Sequence, residues 1–407
     1  MAEASTAPDL SYRALLAVPR FGRLVGATLL VRAAASMWQL ALVLFVLERY
    51  GSPTLAGLSV FLSIAPGIVL SPLAGAMLDR YGRVRLMVAD YGVSAIALLG
   101  IVVLARLGAP FALVLGCVVV SSMLTPLGAS GSRSLMPLVV PRQLWDRANA
   151  IDSMGYTLTA IVAPPLAGAI VAFSSPEAAI AVTAGVYLVG ALALAGVGEV
   201  LVPRRRMGPL LVEAGAGVGY VLRHPSLRGL AAGISVMNLG QGILLVALPV
   251  LAFDRLHADA TLVGGLWAVM GASGLVTGLL VGRWGSSGRE RGLMIAGMVG
   301  VGAGLAILAI ATSVPVVVAS VVIIGAATGP TDIALFSLRQ RVTDPAWFGR
   351  AFAVSMHLNY SGVPIGSAIS GPLLALSITG TLGIAVAFLA LAAGLTYVLV
   401  PPSRAAA

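Results

Sequence analysis

Three ionisable side chains stand where the chain is otherwise apolar, and they are the residues best placed to do chemistry. Arg32, Asp332 and His357 each lie inside a long hydrophobic run, where a charge is costly unless it is paired, hydrated or used. Arg32 follows Arg23 by nine residues, about 13 Å along a helix, near the middle of its run. A guanidinium there can anchor an anionic or hydrogen-bonding ligand, or it can be neutralised in a structural pair by Asp90, Asp152 or Asp332. Asp332 follows Gly329-Pro330 and precedes Arg339 by seven residues, about 10 Å inside by the same geometry. A carboxylate at that depth can bind and release a proton during a cycle. His357, beside Asn359 and Tyr360, can share a proton relay or contact a ligand; the alternative is a satisfied interior histidine. Asp90 and Asp152 lie only about 7 Å inside their runs, the place for hydrated or paired acids.

The residues around these groups extend the pattern. Asn238 occupies the position of Arg32 at an offset of 206 residues, with Gln39 and Gln241 on nearby turns. Polar groups at matched central positions suggest a shared cavity. Met37, Trp38, Met123, Tyr156, Met237, Trp267, Met270, Phe336 and Met356 can line an adaptable apolar pocket or simply pack. The ligand-lining candidates are therefore Arg32, Trp38, Gln39, Tyr156, Asn238, Gln241, Phe336, Asn359 and Tyr360. Other chemistries lack their residues. Without a single lysine there is no phosphate-binding Gly-x-x-x-x-Gly-Lys loop. Three scattered histidines and one cysteine, Cys117, write neither a zinc signature nor a hydrolytic triad. Neither an enzyme, a metal nor a cofactor is expected, and Cys117 reads as a buried thiol that can form no internal disulfide.

These groups must be positioned by membrane helices. At 407 residues, 59% hydrophobic and 10% charged, the chain has too little polar surface for a soluble domain of its size. The formal charge of +10 comes from arginines set between apolar runs rather than on one soluble face, which argues against a nucleic-acid partner. Twelve spans are expected: Leu24 to Leu47, Thr54 to Leu78, Leu86 to Ala105, Pro110 to Leu135, Ala148 to Phe173, Glu177 to Val202, Gly229 to Phe253, Thr261 to Gly282, Leu293 to Thr312, Val314 to Leu338, Ala351 to Ser377 and Leu382 to Val400. Each can cross about 30 Å of hydrocarbon. Placing both termini in the cytoplasm leaves only Arg49, Arg106 and Arg255 outside and Arg32 embedded, as the charge rule requires. The N-terminus, polar through Arg13, Arg20 and Arg23 and leading into a full-length span, is not expected to be a cleaved signal.

The halves repeat. Glu48-Arg49 and Asp254-Arg255 share the offset of 206, as do Pro19 and Pro225; Gly75, Arg80, Tyr81 and Gly82 match Gly278, Arg283, Trp284 and Gly285 at 203, and Gly168 matches Gly371. A six-helix unit is thus duplicated: residues 1–202 form the first half, 229–407 the second, and 203–228 a cytoplasmic linker. The linker carries Arg204, Arg205, Arg206, Arg223 and Arg228 around an apolar stretch, the pattern of an interfacial helix.

The loop Gly75-Ala-Met-Leu-Asp79-Arg80-Tyr-Gly82-Arg83-Val-Arg85 joins the second and third spans. It resembles the signature between these helices in the major facilitator superfamily, matched by Gly75, Asp79, Gly82, Arg83 and Arg85. In that family the acid and the basic residues latch against the other half. By that resemblance Asp79 would meet the N-terminus of the helix near Arg350, and Arg83 would pair with Asp146. The second-half copy has Gly282 in place of Asp79, so the charged latch is fully written once. Gly155 and Ala163-Pro164-Pro165-Leu166-Ala167-Gly168 are similar to the Gly-Pro element of the family's antiporters, with alanine at two glycine positions. They are the candidate hinge. Arg133-Ser134-Leu135-Met136-Pro137 with Arg147-Ala148, and Arg339-Gln340-Arg341 with Arg350-Ala351, resemble loops of its drug and siderophore exporters.

The resemblance implies an all-helical transporter with two pseudo-symmetric halves in the cytoplasmic membrane. It would work as a single chain and export a small amphipathic or apolar solute, drug-like or siderophore-like, in exchange for protons through Asp332 with help from His357. Alanine and serine at 34–36 replace the acid that drug exporters often carry in the first helix. Two alternatives remain: an organic-anion transporter that uses Arg32 without protons, and a membrane sensor or scaffold that moves nothing.

Overall fold

The computed structural model describes residues 11–199, 210–344 and 347–402. No strand occurs among them. The chain folds as α1 (Tyr12–Leu16), α2 (Phe21–Tyr50), α3 (Pro53–Tyr81), α4 (Arg83–Arg106), α5 (Phe111–Val139), α6 (Trp145–Phe173), α7 (Pro176–Ala195), α8 (Leu210–Arg223), α9 (Pro225–Asp254), α10 (Ala260–Trp284), α11 (Glu290–Ile310), α12 (Val314–Val342), α13 (Phe348–Tyr360), α14 (Gly362–Leu376) and α15 (Ile378–Leu399). Eleven of the described helices are long and apolar enough to cross a membrane. A spanning segment must close its own backbone hydrogen bonds, so length and apolarity become helix directly. The ends follow local rules: Pro53, Pro176 and Pro225 open helices, where their missing N–H costs nothing. The Asp259 carboxylate accepts from Leu262 N at 3.1 Å and the Ser377 hydroxyl from Gly380 N at 3.0 Å, capping α10 and α15.

One expected span needs correcting. The segment Ala351 to Ser377 is two helices, α13 and α14, broken at Ser361. Pro364 offers no N–H to the carbonyl four residues back, and a Cβ at Gly362 would lie 2.1 Å from the Ser235 carbonyl oxygen of α9. The backbone is thus pinned where its ladder is already interrupted.

The chain divides into two compact units. The first contains residues 1–36, 69–160 and 181–206; the second contains 37–68, 161–180 and 207–407. In the first, α4 and α5 pack through glycines. A Cβ at Gly131 would meet the Met87 side chain at 2.4 Å, and one at Gly128 would meet the Asp90 carboxylate at 2.3 Å.

In the second unit the ends of α2, α3 and α6 nearest Gly51 and Phe173 pack on the later helices. A Cβ at Gly57 would meet the Ser367 carbonyl oxygen at 2.3 Å; one at Gly371 would meet Pro53 O and Thr54 Cα, each at 2.6 Å. The turns at Gly82 (φ 99°) and Gly285 (φ 72°) lie 203 residues apart, and both adopt backbone that glycine alone takes easily. The described part of the linker, α8, is docked rather than free: the Tyr220 ring stacks on Trp347 at 5.0 Å, and its hydroxyl accepts from Asp344 N at 3.1 Å. Arg204, Arg205 and Arg206 lie outside the described residues.

Candidate functional site

The first unit holds an accessible ion pair within two spanning helices. Arg32 of α2 meets Asp152 of α6 through Nη1 to Oδ1 at 2.8 Å and Nη2 to Oδ2 at 3.1 Å, and Nη1 also donates to the Asp152 carbonyl oxygen at 3.0 Å. The bidentate geometry is the strong form of a guanidinium–carboxylate contact. A close approach of the helices makes it reachable by so short an acid: a Cβ at Gly155 would lie 2.1 Å from the Leu29 side chain. One turn on, Tyr156 places its ring 5.7 Å from the guanidinium, a cation–π contact. The pair is not sealed, since its side chains are 17% and 30% exposed and Tyr156 is exposed as well. Charges do not persist against lipid, so this face of α2 and α6 borders water or a ligand. Asp90 of α4 is buried against Gly128 of α5 and makes no ion pair among the described residues.

Other candidates gather in the second unit. Asn238 Nδ2 donates to the Asn359 carbonyl oxygen at 2.8 Å, joining α9 to the end of α13. With its amide oriented by the hydrogen-bond network, Asn359 accepts from Arg339 Nη2 at 2.6 Å. Arg339 is itself buried, with Nη1 3.0 Å from the Met356 sulfur and its guanidinium 5.6 Å from the Phe336 ring. The structure thus brings Asn238, Phe336 and Asn359 together around an arginine that sequence reasoning placed only at a helix end. Trp38 is buried, Gln39 and Gln241 are half-buried, and Tyr360 is exposed. Asp332 is exposed on α12 and makes no ion pair among the described residues. His357 is half-buried in the last turn of α13, where its carbonyl oxygen accepts from Ser361 N at 3.0 Å. The α6 helix runs unbroken through Pro164 and Pro165, and Gly264 of α10 packs on them: its Cβ would lie 3.0 Å from Pro165 Cα.

The charged loop is held by a residue the sequence did not single out. The Glu199 carboxylate, just beyond α7, accepts from the backbone N–H groups of Arg83 at 2.7 Å, Val84 at 3.3 Å and Arg85 at 3.1 Å. An anion is thereby set on the positive end of α4. Gly82 suits this twice, through its φ of 99° and because a Cβ there would lie 2.8 Å from the Glu199 carboxyl carbon. Arg83 reaches back to Asp79 at 2.5 Å and across to Ser134 Oγ at 3.1 Å. The side chains of Asp146 and Arg350 lie outside the described residues. In the second half, where Gly282 stands at the position of Asp79, a different pair lies near the loop. Glu290, at the start of α11 and buried, meets Arg341 of α12 at 3.1 Å, and Arg341 also contacts Ser287. The lone acid closing the sixth span, after Gly196 and Gly198, was the only sequence sign of Glu199.

Comparison with known proteins adds four likenesses. The model described as Major Facilitator Superfamily matches residues 24–355. The chain is 36% identical over 386 residues to y4rN, an uncharacterised transporter of Sinorhizobium fredii, covering 91% of this chain and 92% of that one. It is 25% identical to the multidrug efflux pump Tap of Mycolicibacterium fortuitum, covering 81% and 82%. Among solved structures, the nucleoside transporter NupG superposes with a TM-score of 0.73 at 12% identity, over 94% of this chain and 100% of that one; at that identity the likeness is one of fold.

Proposed function

The chain belongs to the major facilitator superfamily, and we propose that it exports a small amphipathic solute, drug-like or siderophore-like, across the cytoplasmic membrane by alternating access coupled to protons. The observation that carries this reading is the accessible Arg32–Asp152 pair. A partly exposed bidentate ion pair between two spanning helices has no place against lipid, and a static scaffold gains nothing from it. It belongs on the wall of a route for polar or amphipathic cargo, with Tyr156 offering an aromatic face beside it. The likeness to a multidrug efflux pump supports the export direction.

In this proposal both termini are cytoplasmic, because that orientation places most arginines inside. The packed end that includes Gly57, Gly168 and Gly371 is then the outer closure, and one chain forms the whole route. Asp332, accessible and without an ion pair among the described residues, is the group that exchanges the proton, with His357 on the next helix along the chain as its candidate relay. The site test is flux in vesicles: Arg32→Ala and Asp152→Ala should each abolish movement of lipophilic cations and neutral amphipaths while leaving insertion intact, and unchanged flux in both would remove the site from the route.

The organic-anion reading is weaker on the same geometry. Asp152 occupies both Nη atoms of Arg32, so an anion would have to displace a carboxylate already bound in bidentate fashion. Uptake or efflux of anions alone, lost in Arg32→Ala, would favour it nonetheless.

A further inference from the structure

Arg32 shows by its own contacts what its partners recognise. Its guanidinium meets three acceptors of Asp152: the two carboxylate oxygens at 2.8 and 3.1 Å and the backbone carbonyl oxygen at 3.0 Å. Its central carbon stands 5.7 Å from the centroid of the Tyr156 ring. Asp152 and Tyr156 are four residues apart on α6 and therefore share one face of that helix. Together they offer a fork of oxygens and an aromatic plane, the set that recognises a planar cation bearing N–H donors.

Exposure and charge tell which member of this group is replaceable. The Asp152 side chain is 30% exposed and Tyr156 62%, against 17% for the Arg32 side chain. A solute that reaches this face meets the acid and the ring more readily than the guanidinium. A displaced Arg32 has a second acid at hand. Asp90 of α4 is 4% exposed and makes no ion pair among the described residues, which is costly for an ionised acid in a spanning helix. Tyr91, the next residue, interacts electrostatically with both Asp90 and Arg32, so the two charges share one neighbourhood. When ionised, Arg32, Asp90 and Asp152 carry one positive and two negative charges, and a single added cation pairs them all.

We infer that Asp152 and Tyr156 form a binding site for an organic monocation with planar N–H donors, an amidinium or a guanidinium, and that Arg32 competes for this site from within the chain. The incoming cation takes over the carboxylate fork and the ring while Arg32 turns towards Asp90. Every charge is then paired. A neutral solute would leave Asp152 without a partner, and an anion would leave it both unpaired and repelled. Arg32 lowers the apparent affinity for the cation by the fraction of time that it holds the site itself. The inference rests on reading this face as the wall of the route, and it adds the chemical class of the cargo.

The test is made on the purified full-length protein in nanodiscs, with benzamidinium as the probe, so it needs no flux. Arg32→Ala should bind benzamidinium about tenfold more tightly than wild type, the fold-change expected when a partly exposed competing ion pair is removed. Benzamidinium should also restore the melting temperature that Arg32→Ala loses. Arg32→Lys, which keeps the charge without the planar fork, should bind with intermediate strength, and it carries the test if the alanine variant does not fold. Asp152→Asn should bind at least about tenfold more weakly than wild type. In the Arg32→Ala background, Tyr156→Leu should weaken binding about two- to fivefold, the share of an exposed cation–π contact. In vesicles, the tighter binding of Arg32→Ala should accompany lost flux, because no arginine returns to release the cation. Binding that is unchanged or weaker in both Arg32 variants would overturn the competition, whatever the flux. Equal affinity for tetraphenylphosphonium, a cation without N–H groups, would overturn the planar-donor assignment. Tighter binding in the Arg32 variants, with no flux of any solute in wild type, would uphold the site and remove the transport reading.

Discussion

Gly168 and Gly264 meet backbone to backbone: a Cβ added at Gly168 would lie 3.0 Å from Gly264 Cα and 2.5 Å from the Ala260 carbonyl oxygen. The repeat reproduces this contact. Gly371, the counterpart of Gly168, presses on Pro53 and Thr54 of α3, and Thr54 corresponds to Ala260 at an offset of 206. Two symmetry-related crossings of small residues therefore pack this end, where close van der Waals contact holds spanning helices together in the absence of a hydrophobic drive. On the alternating-access proposal these crossings must form and part in every cycle.

Gly168→Leu and Gly371→Leu should each prevent that packing. Overpacking costs about 1–3 kcal/mol, enough to depopulate the packed form by roughly five- to 150-fold. Flux in vesicles should fall by at least about fivefold, with Gly265→Leu, which meets nothing within 4 Å, as the control that stays active. Equal flux in all three variants would separate the crossings from the cycle.

Arg32 and Asp152 should be strongly coupled in a double-mutant cycle. Each single alanine leaves a charge in a spanning helix without its partner. Because the pair is partly exposed, the loss of stability should be about 1–2 kcal/mol, well short of a sealed pair. The double variant Arg32→Ala/Asp152→Ala should melt close to wild type and still fail to move solute. Additive melting shifts, measured in detergent, would show that the two side chains do not act as a pair.

Glu199→Gln should loosen the start of α4. A carboxylate on a helix N-terminus contributes about 0.3–1 kcal/mol, so the melting temperature should drop slightly. Gly82→Ala should be worse, because it meets both the strained φ and the Glu199 carboxyl. If Glu199→Gln, the milder change, proved the more damaging of the two, the capping account of this loop would be wrong.

Arg341→Ala should cost more than the double change Glu290→Gln/Arg341→Gln. Glu290 is only 1% exposed, and an acid stranded there loses its partner while still bearing its charge. Thermal melts of the two variants decide the point, and the reverse order would contradict it.

Most of the fold was legible because membrane helices announce themselves. Apolar length and the offsets of 203 and 206 residues locate the helices and their duplication. The break at Ser361 was not legible as such, since Pro364 and Gly362 read equally well as a kink; the contact with α9 that pins Gly362 is a tertiary fact. Arg32 was found by depth alone, but Asp90, Asp152 and Asp332 were equivalent partners until helix rotation and the approach at Gly155 singled out Asp152. Glu199 and the Glu290–Arg341 pair were missed for the same reason. They join residues far apart in sequence, and a lone acid near a helix end has no periodic signal to distinguish it from an ordinary solvated charge.

The central claim is proton-coupled export, and its most direct measurement is in proteoliposomes. A proton gradient is imposed, and internal pH is followed while lipophilic cations, organic anions and siderophores are added in turn, for wild type and Asp332→Asn. The account predicts proton movement triggered by a class of amphipathic solute and lost in Asp332→Asn, with solute binding retained. Solute flux that ignores the gradient, or no flux for any compound, would contradict it.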